Sequence, residues 1–207
     1  MTEAVLHDYW RSSACYRVRI ALGHLGIAYR KVPVDLLKGE QRSEDYRAIN
    51  PQGLVPALEI DGRVMTQSLA IVEYLAETRP EAGILPSDPA DRQYVRAIAH
   101  AIAMDIHPIC NSHVVAHVME LTGDPGAREA WMRRFIGQGL VHVERMLAGR
   151  AGRFAFGDDP TMADFCVVPQ LYNARRWGAD ISACPRLLAI DAECARLPAF
   201  QSALPRE

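Results

Sequence analysis

A chain of 207 residues, 49% hydrophobic and 23% charged, is long enough for one large domain or two small ones, with a sizeable core in either case. Its net charge of −2 gives no general support to a nucleic-acid or anionic-membrane partner, and no apolar run approaches the roughly 20 residues that span a bilayer. The opening MTEAVLHDYW lacks a basic region followed by a long apolar stretch, so no signal peptide is expected, and five cysteines without a CxxC pair point to free, mostly buried thiols in a reducing cytoplasm.

AVLHDYW (residues 4–10) and IAYRKVPVDL (27–36) are apolar and β-branched and read as strands. Between them Val18, Ala21, Leu22 and Leu25 recur at helical spacing, and Gly26 stands where such a helix stops. SEDYRAIN (43–50) predicts a short helix. LVPALEI (54–60) and RVMT (63–66) flank Asp61-Gly62, the strongest short hairpin signal. SLAIVEYLAET (68–78) predicts a helix with Ile71, Tyr74 and Leu75 on one face, stopped by Pro80. The order is β-α-β-α-β-β-α. The Pro- and Asp-rich stretch RPEAGILPSDPADR (79–92) reads as a linker, with a helix start at Asp88 or Pro89. Everything beyond it predicts helix. Val95, Ile98, Ala99, Ile102 and Ile106 share one face, and Pro108 is expected to kink that helix. Further helices are expected in residues 124–149, 160–177 and 185–197. The expected architecture is a small α/β domain over residues 1–82 and an all-helical domain over 90–207.

Several residues carry chemistry. Ser12 and Ser13 stand at a strand-to-helix junction, where serine is a natural N-cap. A helix N-terminus also offers free N–H groups and partial positive charge, which stabilise a thiolate, and a serine hydroxyl can add one hydrogen bond to the sulfur. Ser12-x-x-Cys15 is also a CxxC motif with its first cysteine replaced, which gives Cys15 a redox reading beside the plainer one of packing. Pro56 either marks a strand start or follows a cis bond that frees the Val55 backbone to pair with an extended peptide. Ser68, after Gln67, either caps its helix or receives a carboxylate. His100, His107, His113 and His117 lie close in sequence, and His113 and His117 are spaced i, i+4. No H-E-x-x-H glutamate and no cysteine at ligand spacing accompanies them, so no metal is expected. Arg176 continues the stripe of Phe165, Val168 and Tyr172. Such an arginine either stacks or pairs locally, or forms a fork for a carboxylate. Arg17 and Arg19 fall within the first helix and read as structural. Thr161 and Asp164 have the T-x-x-D spacing of a capping box.

SSACYRVRIAL, with NPQGLVPAL, QSLAIVEYL, ILPSDP, DIHPICN and GDDPTMADFCVVPQLYNARR, resembles the zeta class of cytosolic glutathione transferases in order along nearly the whole chain. The family's commoner order is Ser-Ser-Cys, whereas Ala14 takes the cysteine's place here and Cys15 follows. The resemblance implies a thioredoxin-like N-terminal domain, an all-helical C-terminal domain and a homodimer. It implies glutathione as cofactor and cis–trans isomerisation of a maleyl diketo acid, maleylacetoacetate or maleylpyruvate. Conjugation or dehalogenation of 2-halo acids is the alternative activity. Ser12, supported by Ser13, would activate the glutathione thiol. Val55 and Pro56 would hold its cysteinyl backbone, Gln67 and Ser68 its γ-glutamyl end, and Gln52, His107 and Asn111 would add contacts. Arg11 and Arg176 would hold substrate carboxylates, with His113 as a partial replacement for an arginine that related maleylpyruvate isomerases carry nearby.

Overall fold

The computed structural model describes residues 3–206. The chain divides into two compact units. One comprises the residues up to Ala82 together with those from Ala195 onward, and the other runs Gly83–Cys194.

The first unit is built on a four-stranded sheet of order β2-β1-β3-β4. β1 (Ala4–Asp8) is buried at every position, as a central strand covered on both faces requires. β2 (Tyr29–Pro33) runs parallel to it, with Ala4 opposite Tyr29. β3 (Ala57–Ile60) is antiparallel to β1, with Leu6 opposite Leu58, and β4 (Arg63–Thr66) folds back on β3. Asp61 and Gly62 have φ of 53° and 71°, the left-handed pair that a two-residue hairpin turn demands. The strands are shorter than their apolar runs. β1 stops where Ser12 N–H turns back to Tyr9 C=O at 2.9 Å, β2 stops at Pro33, and β3 begins only after Pro56. Proline has no N–H for the ladder, so it sits at strand ends.

Helix α1 (Ser13–His24) crosses between the parallel strands, and Gly26 after it takes φ of 63°. α2 (Glu44–Ile49) and α3 (Ser68–Thr78) fall where the sequence predicts them, followed by a 3-10 turn at Pro80–Ala82. α1 packs on α3 and on a short last helix, α9 (Pro198–Ala203). That last contact departs from the expected 90–207 helical domain, because the segment from Ala195 groups with the first unit. The cause is local. Gly23 leaves its would-be Cβ only 3.3 Å from the Ala199 backbone, and Arg19 Nε donates to Ala203 C=O at 3.0 Å.

The second unit is helical. Asp88 caps α4 (Pro89–His100) by accepting the Ala90 and Asp91 N–H groups, with Pro89 in the first turn. Val95, Ile98, Ala99, Ile102 and Ile106 are all buried. The expected kink at Pro108 is displaced upstream. The chain widens into a π-helical turn at Ala101–Ile106, closed by His107 N–H to Ile102 C=O, and a separate helix α5 (Ser112–Thr122) follows. α6 (Ala127–Met146), α7 (Met162–Trp177) and α8 (Pro185–Cys194) complete the unit. The expected helix over 185–197 ends at Cys194. The T-x-x-D pair acts as expected: the Asp164 carboxylate accepts Thr161 N–H at 2.8 Å, and also Ala155 N–H at 2.8 Å. All five cysteines are free and buried. No helix among the described residues is long and apolar enough to cross a membrane.

Candidate active site

The first unit gathers Arg11, Ser12, Ser13, Gln52, Val55, Pro56, Gln67 and Ser68 at the ends of its strands and helices. Ser12 is the N-cap of α1, extended at φ −70° and ψ 123°, and its Oγ accepts Cys15 N–H at 3.2 Å. Capping uses the hydroxyl as an acceptor and leaves its O–H able to donate. The Ser13 and Ala14 N–H groups have no intrahelical acceptor, as at any helix start. The first turn holds no acidic residue. This end of α1 therefore offers one hydroxyl donor, amides without intrahelical acceptors and a positive dipole to an anionic sulfur. Ser13 is buried beneath it.

Cys15 does not compete for that role. It is fully buried, and its sulfur accepts Tyr9 N–H at 3.5 Å. Burial pushes its thiol pKa far up, and the Asp8 charge adds to this, outweighing the hydrogen bonds from Ser12 and Tyr9. It is a neutral thiol at physiological pH, packed in the core.

Arg11 is half-buried at the mouth of the β1–α1 turn. Its Nη2 donates to Tyr9 Oη at 3.1 Å, and its guanidinium lies 5.1 Å from the Trp10 ring centroid. The fork is held by aromatic contacts and keeps further N–H donors for an incoming acid. The turn itself is tied from behind. Arg19, 2% exposed, pairs with Asp8 at 2.6 Å and donates to Trp10 C=O at 3.0 Å.

The Val55–Pro56 bond is cis. Val55 lies half-exposed ahead of the β3 ladder, which starts at Ala57. Tyr46 Oη and Asn50 Nδ2 both donate to Leu54 C=O, at 2.7 and 2.6 Å, and fix the approach to it. Gln52 Oε1 accepts from Gln67 Nε2 at 2.7 Å, so these two predicted residues meet. Gln67 precedes α3 with a positive φ of 66° and without a side-chain cap bond. Ser68 is buried, and its Oγ accepts from Arg17 Nη1 at 3.1 Å. The residues present suit a thiol-bearing peptide with anionic ends. One helix N-terminus suits the sulfur, another with a buried hydroxyl suits a carboxylate, and a free backbone edge at Val55 lies between them in sequence.

Sequence reasoning missed Tyr46, Asn50 and Arg17. Asn50 carried a faint signal in the N-P-Q-G turn. The partners of Tyr46 and Arg17 carried none, because they come from other elements.

In the second unit His107 follows the π turn directly and Asn111 precedes α5, both half-exposed. His113 is exposed on the first turn of α5, and His117 pairs with Glu120 at 3.5 Å. Among the described residues no group of three or more His, Cys, Asp or Glu side chains gathers as a metal site. Arg176 is exposed near the end of α7, its guanidinium 4.8 Å from the Trp177 ring centroid.

Residues 6–83 match the glutathione S-transferase N-terminal domain family, and residues 125–199 match the corresponding C-terminal domain family. A maleylacetoacetate isomerase of Rhizobium meliloti (strain 1021) is 62% identical over 98% of this chain and 96% of its own. The holo structure of a maleyl pyruvate isomerase, described as a bacterial zeta-class glutathione S-transferase, superposes with a TM-score of 0.94. It is 41% identical and covers 97% of this chain and 96% of its own. The chain belongs to the zeta-class glutathione transferase family. A maleylacetoacetate isomerase of Anaeromyxobacter dehalogenans 2CP-1, solved with glutathione in its active site, has a TM-score of 0.89 and 43% identity, covering 98% of this chain and 95% of its own. The zeta-class architecture accounts for both units: the mixed sheet with its helices is the thioredoxin-like part, and Gly83–Cys194 is the helical part.

Proposed function

We propose that the protein is a glutathione-dependent isomerase that converts a maleyl diketo acid to its fumaryl form. The observation that carries this is the end of α1, where Ser12 caps the helix while keeping its hydroxyl proton to give. The 62% identity to a maleylacetoacetate isomerase supports maleylacetoacetate as the substrate over maleylpyruvate. Glutathione, when bound, supplies a thiolate that adds reversibly to the maleyl double bond, permits rotation and is regenerated. The chain's own residues do the rest. Ser12 O–H and the first amides of α1 hold the thiolate deprotonated. Ser13 supports Ser12 from below. Val55 pairs its backbone with the cysteinyl peptide, while Pro56 fixes where the ladder starts. Gln67, Ser68 and Gln52 hold the γ-glutamyl end.

Arg11 receives a substrate carboxylate and steadies the charge that develops next to it. His107 and Asn111 contribute glutathione contacts, and Arg176 and His113 contribute contacts to the acid. The domain expected over 1–82 carries most of the glutathione contacts together with Arg11, and the helical domain expected over 90–207 carries the other acid contacts together with His107 and Asn111. The protein works as a homodimer in the cytoplasm.

The test is a glutathione-dependent isomerase assay on maleylacetoacetate and maleylpyruvate, with a 2-halo acid as a third substrate. Wild type should turn over a maleyl acid only when glutathione is present, and Ser12→Ala should be severely impaired. Turnover of the halo acid alone, or isomerisation without glutathione, refutes the proposal.

A further inference from the structure

The contact between Arg17 and Ser68 joins two helices across 51 residues, and both side chains are buried, at 2% and 6% exposure. A guanidinium has only donors, so Ser68 Oγ must accept from it. A hydroxyl bound this way directs its own proton elsewhere. The same residue opens α3. The first intrahelical bond there is Ile71 N–H to Gln67 C=O, which leaves the Ser68, Leu69 and Ala70 amides without intrahelical acceptors. No acidic side chain occupies that first turn.

We propose that Arg17 is a positioning residue for glutathione, acting through Ser68. It holds one acceptor position of the Ser68 hydroxyl, so that the O–H points out to the α-carboxylate of the γ-glutamyl group. The inference rests on the glutathione reading above and adds a residue to it. Its buried charge and the dipole of α3 then raise the potential at the same point. α1 thereby serves both ends of the tripeptide: Ser12 at its N-cap faces the thiol, and Arg17, little more than one turn on, backs the carboxylate. This is more than the structural role that its place inside the first helix suggested.

The test is binding, not turnover. Calorimetry with glutathione is compared with γ-aminobutyryl-cysteinyl-glycine, which lacks only that carboxylate. Arg17→Gln should raise the glutathione Kd by about tenfold or more, while the Kd of the analogue stays within about twofold. Arg17→Lys should fall between. An equal loss on both ligands, or no loss on glutathione, overturns the proposal. If Arg17→Gln does not fold by circular dichroism, Arg17→Lys is measured with and without Ser68→Ala. Its loss should vanish in the Ser68→Ala background, and a full loss there also overturns the proposal. Wild type that binds neither ligand refutes the glutathione reading itself, a failure visible before any variant is made.

Discussion

Ser12 does two things that do not compete, because a cap uses the hydroxyl's lone pair and thiol activation uses its proton. Replacement separates them. Ser12→Asp retains a good N-cap but places a negative charge beside the sulfur, so the thermal midpoint should stay near wild type while turnover is lost. Ser12→Ala removes both, which should lower kcat/KM by about 10- to 100-fold and stability by about 1 kcal/mol. Isomerase kinetics alongside thermal melts of the two variants check this. Cys15 is the opposite case, a residue with chemistry in its name and none in its surroundings. Cys15→Ser should retain turnover while losing about 1–3 kcal/mol, because a hydroxyl replaces an apolar thiol in a fully buried site. Loss of turnover in a folded Cys15→Ser enzyme would revive the redox reading. The S-x-x-C spacing alone could not separate these roles; burial does.

At the scale of elements, two helices in the second unit carry measurable constraints. Gly139 lies within α6, and a Cβ there would come within 2.5 Å of the Ile106 side chain on the π turn. Ala in a helix is worth about 1 kcal/mol over Gly, but overpacking a buried isoleucine costs about 1–3 kcal/mol. Gly139→Ala should therefore be destabilised, with a lower midpoint in chemical denaturation, whereas an open helix position would gain. The start of α7 predicts a pH dependence. Burial raises the Asp164 carboxyl from 3.8 to about 6, despite the N–H groups of Thr161 and Ala155 that favour its charged form. A carboxyl whose folded pKa lies above its unfolded value stabilises the fold most below the unfolded value. That contribution fades as pH rises through the folded one. The stability advantage of wild type over Asp164→Asn should therefore shrink between about pH 4 and 6, as followed by melts across that window. An advantage that grows with pH would show that the hydrogen bonds win over burial.

For the whole molecule, the last dozen residues belong with the first. Phe200 of α9 is 2% exposed, and Arg19 reaches the Ala203 carbonyl across 184 residues of sequence. Phe200→Ala should cost about 3–5 kcal/mol by equilibrium denaturation. Light scattering should give twice the chain mass if the proposed homodimer forms. Features whose cause lies within a few residues were legible in the sequence. The Asp61-Gly62 turn, the Asp88 and Ser12 caps, the Thr161–Asp164 box and the face from Val95 to Ile106 follow from backbone sterics, local hydrogen bonding and helical period. Together with the signature runs they were enough to recognise the family, and with it the two-part fold and its cofactor. Contacts between distant segments were not legible, because no local pattern records which surfaces meet. Only the folded chain pairs Arg17 with Ser68, buries Cys15 beneath Tyr9, shifts the break from Pro108 to the π turn and returns α9 to α1. The sequence determined which groups stand at the helix starts; tertiary packing decided which of them keep a proton or a charge to offer, because desolvation and long-range partners set that balance.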